Sequence, residues 1–245
     1  MVVDNRQDLF PKNNTKLVAG LCDRRFGIGA DGLLLLEHDK MSDFRMVYYN
    51  ADGNQGSMCG NGGRCLVAFA HSLGLIGDKT EFMAVDGPHR ATVNGQEVAL
   101  KMVDVELVHQ KNNYCFLDTG SPHHVQLVKD LDSLDVGREG RKLRYGLYGE
   151  KGSNINFVEP MDDGSFQVRT YERGVEAETL SCGTGVTAVA LAMHKLGKTK
   201  ADPVVIRTLG GMLSIRFEER QGRYTDVHLI GPAKEVFKGE IICSI

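Results

Sequence analysis

The sequence predicts an α+β protein built from two pseudo-symmetric lobes, each with one helix enclosed by strands. The main observation is an internal repeat: Cys, Gly, Gly, His, Leu and Gly recur at the same relative places around Cys59 and Cys182, at an offset of 123 residues. This offset is half of the 245-residue chain. A single repeat at that distance predicts two homologous lobes and not a solenoid.

Both copies of the repeat have the same order of elements: a strand, a polar loop and a helix. Alternating and aromatic residues predict strands at residues 44–49 and 166–171. Apolar helix formers follow each Cys-Gly pair, and Gly74 and Gly197 predict the two helix ends. His71 and His194 fall in the last helical turns, where we assign them structural roles.

The remaining segments are rich in strands, which completes the α+β prediction. Further strands are predicted at residues 90–102 with an Asn94-Gly95 turn, and at residues 114–118, 204–206 and 212–217. Residues 136–153 are rich in Gly, Arg and Lys, and this composition predicts an exposed loop that forms an excursion inside the second lobe.

Composition and charge exclude several classes of protein. With 29 Lys and Arg against 32 Asp and Glu, the net charge of −3 provides no field for recruiting nucleic acid or an anionic membrane. No apolar run approaches the roughly 20 residues of a membrane span, and the charged first 15 residues contain no signal-peptide core. Six cysteines are too few for a disulfide framework. We therefore expect a cytoplasmic protein.

Cys59 and Cys182 are the candidate chemical groups, because a cysteine at a helix start lies where N–H groups and the helix dipole favour a thiolate. If the lobes pack about a pseudo-twofold axis, the two sulfurs face each other across a cleft. Two opposed acid/base groups of the same type suit a racemase or epimerase, in which one removes the α-proton and the other returns a proton to the opposite face. The glycine-flanked N–H groups can bind the substrate carboxylate, so no cofactor is required.

Other motifs carry weaker signals. The glycines of residues 27–32 precede a strand-like segment and not a helix, which disfavours a dinucleotide loop. The Asp52-Gly53-Asn54 segment lacks the glutamate of a calcium loop, and no Cys and His spacing matches a zinc site. We expect no metal, and we interpret the other four cysteines as core or surface thiols: Cys22, Cys65, Cys115 and Cys243.

Four motifs together resemble diaminopimelate epimerases, and the resemblance covers essentially the whole chain. They are Asn50-Ala51-Asp52-Gly53, the Met58 to Cys65 segment, Tyr171-Glu172-Arg173-Gly174 and the Ser181 to Gly185 segment. The resemblance implies lobes that are curved mixed sheets around a central helix. The polar stretch at residues 110–113 predicts the boundary between the lobes. Together with a C-terminal strand that the resemblance returns to the first lobe, this gives residues 1–109 with 234–245 and residues 110–233. The resemblance further implies an isomerase that interconverts LL- and meso-2,6-diaminopimelate without pyridoxal phosphate, in lysine and peptidoglycan-precursor synthesis.

The resemblance also implies site residues, carried over by motif. Cys59 and Cys182 become the acid/base pair, with Cys59 as donor and Cys182 as acceptor in one direction. The reacting α-carboxylate is held by the backbone amides of Gly60, Asn61, Gly183 and Thr184. The distal end of the substrate is read by Asn50, Asn154, Glu172 and Arg173. Two further contacts are Ser121 and His123, of which Ser121 departs from the asparagine that the family often has.

Two alternatives remain at this point. One is a proline- or hydroxyproline-type epimerase of the same fold, and the other is a non-catalytic binding homologue. Asn61 and the Glu172-Arg173 pair favour the diaminopimelate interpretation, and the two cysteines favour catalysis. The expected partner is a small amino-acid substrate, while the oligomeric state is left open, a homodimer included.

The start of the chain departs from the family pattern. Members begin with a strand and a Gly-Asn-Asp-Phe loop before the segment that resembles Val2-Val3-Asp4. We therefore expect a further strand and a substrate-binding asparagine ahead of Met1, and an unpaired edge in the sheet of the first lobe.

Overall fold

A computed structural model describes residues 1–242, so the interpretation of Cys243 lies outside the described residues. The chain divides into two compact units. One comprises Met1–Leu100 together with residues 232–242, and the other comprises Lys101–Gly231. None of the helices within these residues is long and apolar enough to cross a membrane.

The first unit is a mixed sheet with helices on both faces. Its strands, which neighbour each other in sequence order, are β1 (Val2–Asp4), β2 (Gly32–Glu37), β3 (Phe44–Asn50), β4 (Lys79–Ala84), β5 (Gly87–Asn94) and β6 (Glu97–Lys101). Its helices are α1 (Thr15–Cys22) and α2 (Gly60–Ser72). β1 pairs with β2 in parallel and β3 with β4 in parallel, whereas the other neighbours are antiparallel.

The leucine run of β2 is buried on both faces of this sheet. Leu33 and Leu35 pack with Val18 of α1, and Leu34 on the opposite face lies beside Gly62 of α2. Such a doubly covered strand has a continuous apolar run in place of alternation. The three residues of β1 pair with residues 34–36 at the edge of the sheet.

The second unit is a larger mixed sheet. Its strands are β7 (His109–Gln110), β8 (Cys115–Asp118), β9 (Pro122–Leu127), β10 (Asn154–Pro160), β11 (Phe166–Glu172), β12 (Ala177–Thr179), β13 (Val204–Thr208), β14 (Gly211–Arg220) and β15 (Arg223–Pro232). The order is β15-β14-β13-β11-β10-β9-β8-β7, and β12 pairs with β11. Its helices are α3 (Val136–Gly146) and α4 (Gly183–Lys195), with a short 3-10 helix at Leu131–Ser133.

The predicted repeat is confirmed at the level of topology. In each unit an antiparallel strand pair leads into a 13-residue helix, and the next strand lies parallel to the second strand of the pair. α2 and α4 are the central helices of these crossovers, and ten residues of α4 are buried. Gly74 and Gly197 follow the helices with φ of +68° and +66°, the left-handed conformation expected after a helix end.

The prediction of a loop at residues 136–153 is wrong, because residues 136–146 form helix α3, although most residues of this segment are exposed as expected. Its buried residues, Val136, Gly140 and Arg144, are four apart and share one face. Gly140 packs so closely on Tyr171 that a Cβ would lie 2.4 Å from it. The polar, glycine-rich composition that suggests a loop is therefore the exposed side of a helix.

The boundary between the units also differs from the predicted one. Residues 101–109 belong to the second unit, because Met102 donates a backbone hydrogen bond to Val227 and Val105 is buried in the second core. Residues 232 and 233 group with the first unit, where Ala233 donates to the carbonyl of Gln96. The C-terminal segment groups with the first unit as expected, but its described residues 233–242 form no strand.

Candidate active site

Cys59 stands at the start of α2, where the chain changes from extended to helical. Its φ and ψ are −115° and 123°, and its side chain does not cap the helix. The first intrahelical hydrogen bond runs from Gly63 N–H to Cys59 C=O, at 2.7 Å. The amide N–H groups that precede Gly63 have no acceptor within the helix. This turn therefore places a partly exposed thiol beside amides able to bind an anion.

Arg64 lies behind this turn, and the sequence analysis did not identify it. The residue is only 6% exposed. Its guanidinium donates to the carbonyl of Gly60 (3.3 Å) and to Oδ1 of Asn61 (2.9 Å). Burial lowers the pKa of Arg64. The turn that carries Cys59 is thus fixed from behind by a buried cation.

Asn50, the other predicted site residue of the first unit, ends β3 in an exposed turn. Gly53 N–H donates to its carbonyl, and Gly53 has a φ of +86°. A Cβ on Gly53 would also collide with the carbonyl of Thr15, so glycine is required there. The Asn50 side chain forms no hydrogen bond with another described residue, which leaves its amide available to a ligand.

Cys182 stands at the start of α4 in the same conformation, with φ and ψ of −119° and 111°. The first intrahelical bond runs from Val186 N–H to Cys182 C=O, at 2.8 Å. Cys182 is more buried than Cys59. Its sulfur lies 3.4 Å from Oγ1 of Thr184, and Thr119 donates to the carbonyl of Thr184 at 2.9 Å. Thr119, which lies between β8 and β9, therefore helps to hold this turn.

A buried polar network continues from Thr184 into the sheet. His123 Nε2 lies 3.0 Å from the Thr184 hydroxyl, and its Nδ1 lies 3.1 Å from Nδ2 of Asn156. Nδ2 of Asn156 also donates to the carbonyl of His124, and its Oδ1 accepts from Thr170. This orientation makes Nδ1 of His123 the acceptor and assigns its proton to Nε2.

The network keeps His123 uncharged. Its side chain is fully buried, and burial together with the positive charge of Arg173 lowers the pKa of His123 to about 3. A neutral imidazole therefore backs the Cys182 turn throughout the physiological pH range. Asn156, which orients this imidazole, was missed by the sequence analysis because no motif contains it.

Three predicted residues meet at the ends of β9, β10 and β11. Asn154 is 4% exposed, accepts from the backbone N–H of Arg173 at 2.8 Å and donates to Oγ of Ser121 at 3.0 Å. The guanidinium of Arg173 donates to the carbonyl of Lys151 at 3.0 Å and to Ser121 at 3.4 Å. Ser121 Oγ thus accepts hydrogen bonds from both Asn154 and Arg173. The amide oxygen and the amide nitrogen of Asn154 are both occupied by these neighbours.

Glu172 ends β11, directly before Arg173. Its carboxylate accepts a hydrogen bond from the Thr179 hydroxyl at 3.0 Å. Burial raises the pKa of Glu172, and the Thr179 hydrogen bond opposes that shift. The two adjacent residues therefore differ in environment, since Arg173 is exposed and Glu172 is half-buried.

The remaining described cysteines lack this setting. Cys22 and Cys115 are buried, and burial raises the pKa of each thiol. Cys65 is exposed on α2. Within residues 1–242, no three His, Cys, Asp or Glu side chains cluster in a way that could hold a metal ion. His194 bonds the Tyr224 hydroxyl at 3.0 Å, in keeping with its structural assignment.

The sequence matches one family over nearly its full length. The diaminopimelate epimerase family profile matches residues 1–108 and 115–236. A diaminopimelate epimerase from Flavobacterium psychrophilum is 56% identical over 243 residues, which cover 98% of this chain and 95% of the relative. The diaminopimelate epimerase of Chlorobaculum tepidum is 44% identical, covering 98% of this chain and 96% of the relative.

Solved structures with the same fold are more distant in sequence. A Bacillus anthracis protein of the PhzF family, named for phenazine biosynthesis, aligns with a TM-score of 0.78 at 13% identity, covering 99% of this chain and 92% of the other. A hydroxyproline epimerase from Agrobacterium vitis, with bound trans-4-hydroxy-L-proline, aligns with a TM-score of 0.60 at 19% identity, covering 91% of this chain and 79% of the other. At these identities the likeness establishes the α+β fold alone.

Proposed function

Since this chain belongs to the diaminopimelate epimerase family and epimerises diaminopimelate, we propose that it inverts one α-carbon with the cysteine pair Cys59 and Cys182 and without a cofactor. One observation carries the proposal: both thiols occupy the same helix-start position in the two copies of the repeat. An inversion needs two like groups, and the chain supplies two like groups in like settings. The product, meso-diaminopimelate, serves lysine and peptidoglycan-precursor synthesis.

In the proposed reaction, one proton is removed from the α-carbon and a second proton is added to it on the opposite face. One cysteine, as thiolate, takes the α-proton and becomes a thiol. The other cysteine, as thiol, delivers its proton to the opposite face and becomes a thiolate, so charge and protons balance. The negative charge that develops on the α-carboxylate is stabilised by amides of the two helix starts, those of Gly60, Asn61, Gly183 and Thr184.

The other predicted residues are proposed to bind the distal amino-acid end of the substrate. Arg173 offers a planar guanidinium to the distal carboxylate, and Glu172 offers a carboxylate to the distal ammonium. Asn50 adds an exposed amide. Asn154 and Ser121 act through Arg173, because their hydrogen bonds fix its backbone and its guanidinium. His123 orients Thr184 from beneath.

The names of the relatives favour diaminopimelate over proline or hydroxyproline as the substrate, since the relatives at 56% and 44% identity are diaminopimelate epimerases. Asn61 supports the same choice. The first cysteine motif of proline-type epimerases resembles Cys-Gly-His-Gly, with a histidine where this chain has Asn61. We also propose a cytoplasmic location, where the five described free cysteines remain reduced.

The test is proton exchange on LL-diaminopimelate in heavy water, with formation of the meso isomer followed in the same sample. Wild-type protein should incorporate deuterium at the α-carbon and yield meso product. Cys59→Ala and Cys182→Ala should each lose at least about a hundredfold in kcat, the low end of what an acid/base group contributes. Each variant should retain the thermal transition of wild type.

Cys65→Ala is the matched control, because it removes an exposed thiol from the same helix as Cys59. This variant should keep wild-type activity. Full activity in either Cys59→Ala or Cys182→Ala would overturn the two-cysteine mechanism. Epimerisation of proline or hydroxyproline in place of diaminopimelate would overturn the substrate assignment.

A further inference from the structure

Tyr48 of β3 lies on the face of the first-unit sheet that packs against α2. Side chains alternate between the two faces of a strand, so Met46, Tyr48 and Asn50 share one face. Met46 lies under the first turn of α2, because its Cε would be 3.5 Å from a Cβ on Gly62. Tyr48 is therefore placed between a residue under the start of α2 and the amide of Asn50.

Two glycines border the ring of Tyr48. A Cβ on Gly32 would lie 2.6 Å from Cε2 of the ring and 2.9 Å from its hydroxyl oxygen, besides 2.5 Å from the carbonyl oxygen of Tyr49. A Cβ on Gly56 would lie 2.6 Å from Cδ1 and 2.7 Å from Cε1, on the other edge of the ring. These distances are too short for a methyl group. Backbone segments therefore border both edges of the ring, while Tyr48 stays partly exposed.

Both of these backbone segments are themselves held in place. Gly32 on β2 is paired with Asn50 on β3. The loop between β3 and α2 is joined to the same strand, because the Gly56 N–H donates to the carbonyl of Tyr48 at 2.9 Å and Gln55 forms an antiparallel bridge with Tyr49. The ring of Tyr48 therefore has a fixed position.

Gly56 also brings the ring next to Asn50. A Cβ on Gly56 would lie 3.1 Å from Oδ1 of Asn50, so the ring and this amide adjoin the same glycine. Asn50 is proposed above to bind the distal end of the substrate, and the amides at the start of α2 to bind the reacting carboxylate. Tyr48 borders the space between these two groups of contacts.

The substrate has an apolar middle that these contacts do not address. Diaminopimelate carries an amino group and a carboxylate at each end, and three methylene groups join the two ends. The residues proposed above bind the charged ends. An aromatic ring offers apolar surface to methylene groups and leaves the charged ends to polar ligands. The exposed part of the Tyr48 side chain therefore suits the middle of the substrate.

We propose that Tyr48 is a specificity-determining residue whose ring packs against the methylene chain of the substrate. The inference rests on the contacts proposed above for the two ends, and it adds a residue that recognises the distance between them. Because Gly32 and Gly56 border both edges of the ring, the ring cannot turn aside to admit a longer chain. Tyr48 thereby limits the number of methylene groups that the site accepts.

The experiment compares LL-diaminopimelate with LL-2,7-diaminosuberate, which has one more methylene group between the same two ends. Initial deuterium incorporation at the α-carbon in heavy water gives kcat/KM for each compound. Wild-type protein should prefer diaminopimelate by about tenfold or more, the effect of one methylene group in a shaped pocket. Tyr48→Ala should raise KM for diaminopimelate about tenfold and reduce the preference by a similar factor, because the ring that limits the length is gone.

Three further variants assign the effect to the ring. Tyr48→Phe keeps the ring and should keep most of the preference. Tyr48→Leu removes the ring but retains an apolar side chain, so it should lose preference in the same direction and decides the question if Tyr48→Ala does not fold. Tyr49→Leu is the matched control, since Tyr49 is 6% exposed and packs with Val18 of α1 on the other face. It should lower thermal stability and keep the wild-type preference.

A purely structural role for Tyr48 makes a different prediction. Tyr48→Ala and Tyr48→Leu would then lower thermal stability while the preference for diaminopimelate stayed at the wild-type value, and that result would overturn the proposal. Equal kcat/KM values of the wild-type protein for the two compounds would also overturn it, as would loss of the preference in Tyr48→Phe. Failure of the two-cysteine mechanism is a separate result, because it appears as full activity in Cys59→Ala or Cys182→Ala.

Discussion

The turns that carry Cys59 and Cys182 have nearly the same backbone and different surroundings. Both cysteines are extended residues at the start of 13-residue helices. The first turn is supported by the buried guanidinium of Arg64, and the second by neutral side chains that continue through His123 and Asn156. Each thiol therefore has the same position in its copy of the repeat, but the side chain that supports the turn is charged in the first unit and neutral in the second. Two chemically identical groups are thereby held in place by different side chains.

The largest expected difference between the two turns is the loss of stability when a glycine is replaced by alanine. Gly62 and Gly185 occupy equivalent positions of the repeat and allow this comparison. A methyl group on Gly185 would lie 2.5 Å from Oδ1 of Asn156, which other hydrogen bonds hold in place. On Gly62 it would lie 3.2 Å from the end of the flexible Leu34 side chain. Gly185→Ala should therefore lower the free energy of unfolding by up to about 3 kcal/mol.

Gly62→Ala is the matched control for that change. Here the gain in helix propensity, about 1 kcal/mol, offsets the milder contact with Leu34. Urea unfolding of the two variants measures both values. Equal destabilisation would mean that the Cys182 turn is no more tightly supported than the Cys59 turn.

The next effect is a loss of stability in acid that originates in the second unit. The pKa of His123 is about 3 in the folded protein and near 6.5 in an unfolded chain. The stability from its neutral burial is complete above pH 6.5 and is lost as the pH falls toward 3. Between pH 7 and pH 5, we expect His123 to account for a fall of about 2 kcal/mol in the free energy of unfolding.

Urea unfolding at the two pH values tests this expectation. His123→Asn should shrink the difference between pH 7 and pH 5, whatever its stability at pH 7. If the free energy of unfolding falls as much between pH 7 and pH 5 in His123→Asn as in wild type, a group other than His123 causes the fall.

The smallest effect concerns the outer end of the second-unit network. Arg173→Lys keeps the charge but loses the planar guanidinium that bonds Ser121 and the Lys151 carbonyl. An ammonium cannot reproduce a bidentate grip on a carboxylate, so KM should rise about tenfold while kcat changes little. Steady-state kinetics with LL-diaminopimelate measure KM and kcat separately. Arg141→Lys, at an exposed arginine of α3, is the control, and an unchanged KM in Arg173→Lys would remove Arg173 from the distal subsite.

Local signals account for the features that sequence reasoning predicted correctly. The repeat, the helix ends at Gly74 and Gly197 and the cysteines at helix starts depend on residues close together in the chain. Helix α3 was missed because its only buried face is Val136, Gly140 and Arg144, and its remaining residues resemble a polar loop. In the structure α1 occupies the corresponding place between β1 and β2, but the sequence analysis predicted neither helix.

The supporting residues of the site could not be predicted in this way. Arg64 belongs to a recognised motif, yet nothing in the motif shows that its side chain is buried and bonds the carbonyl of Gly60 and the amide oxygen of Asn61. Thr119, between β8 and β9, bonds the Cys182 turn directly, and Asn156 on β10 acts through His123. Both contacts join residues far apart in sequence. The thiols follow from local pattern, whereas their electrostatic environment follows from tertiary packing.

The parallel pairing of β3 with β4 and of β11 with β13 has a consequence for how the protein reaches its native state. Each pair is closed by a crossover that contains the cysteine-bearing helix, and non-local parallel pairing forms more slowly than a hairpin such as β5–β6. We therefore expect both thiols to stay accessible until late in folding. A chain refolding in air is open to oxidation for longer than the mature protein, and its recovery should depend on the reductant present during renaturation.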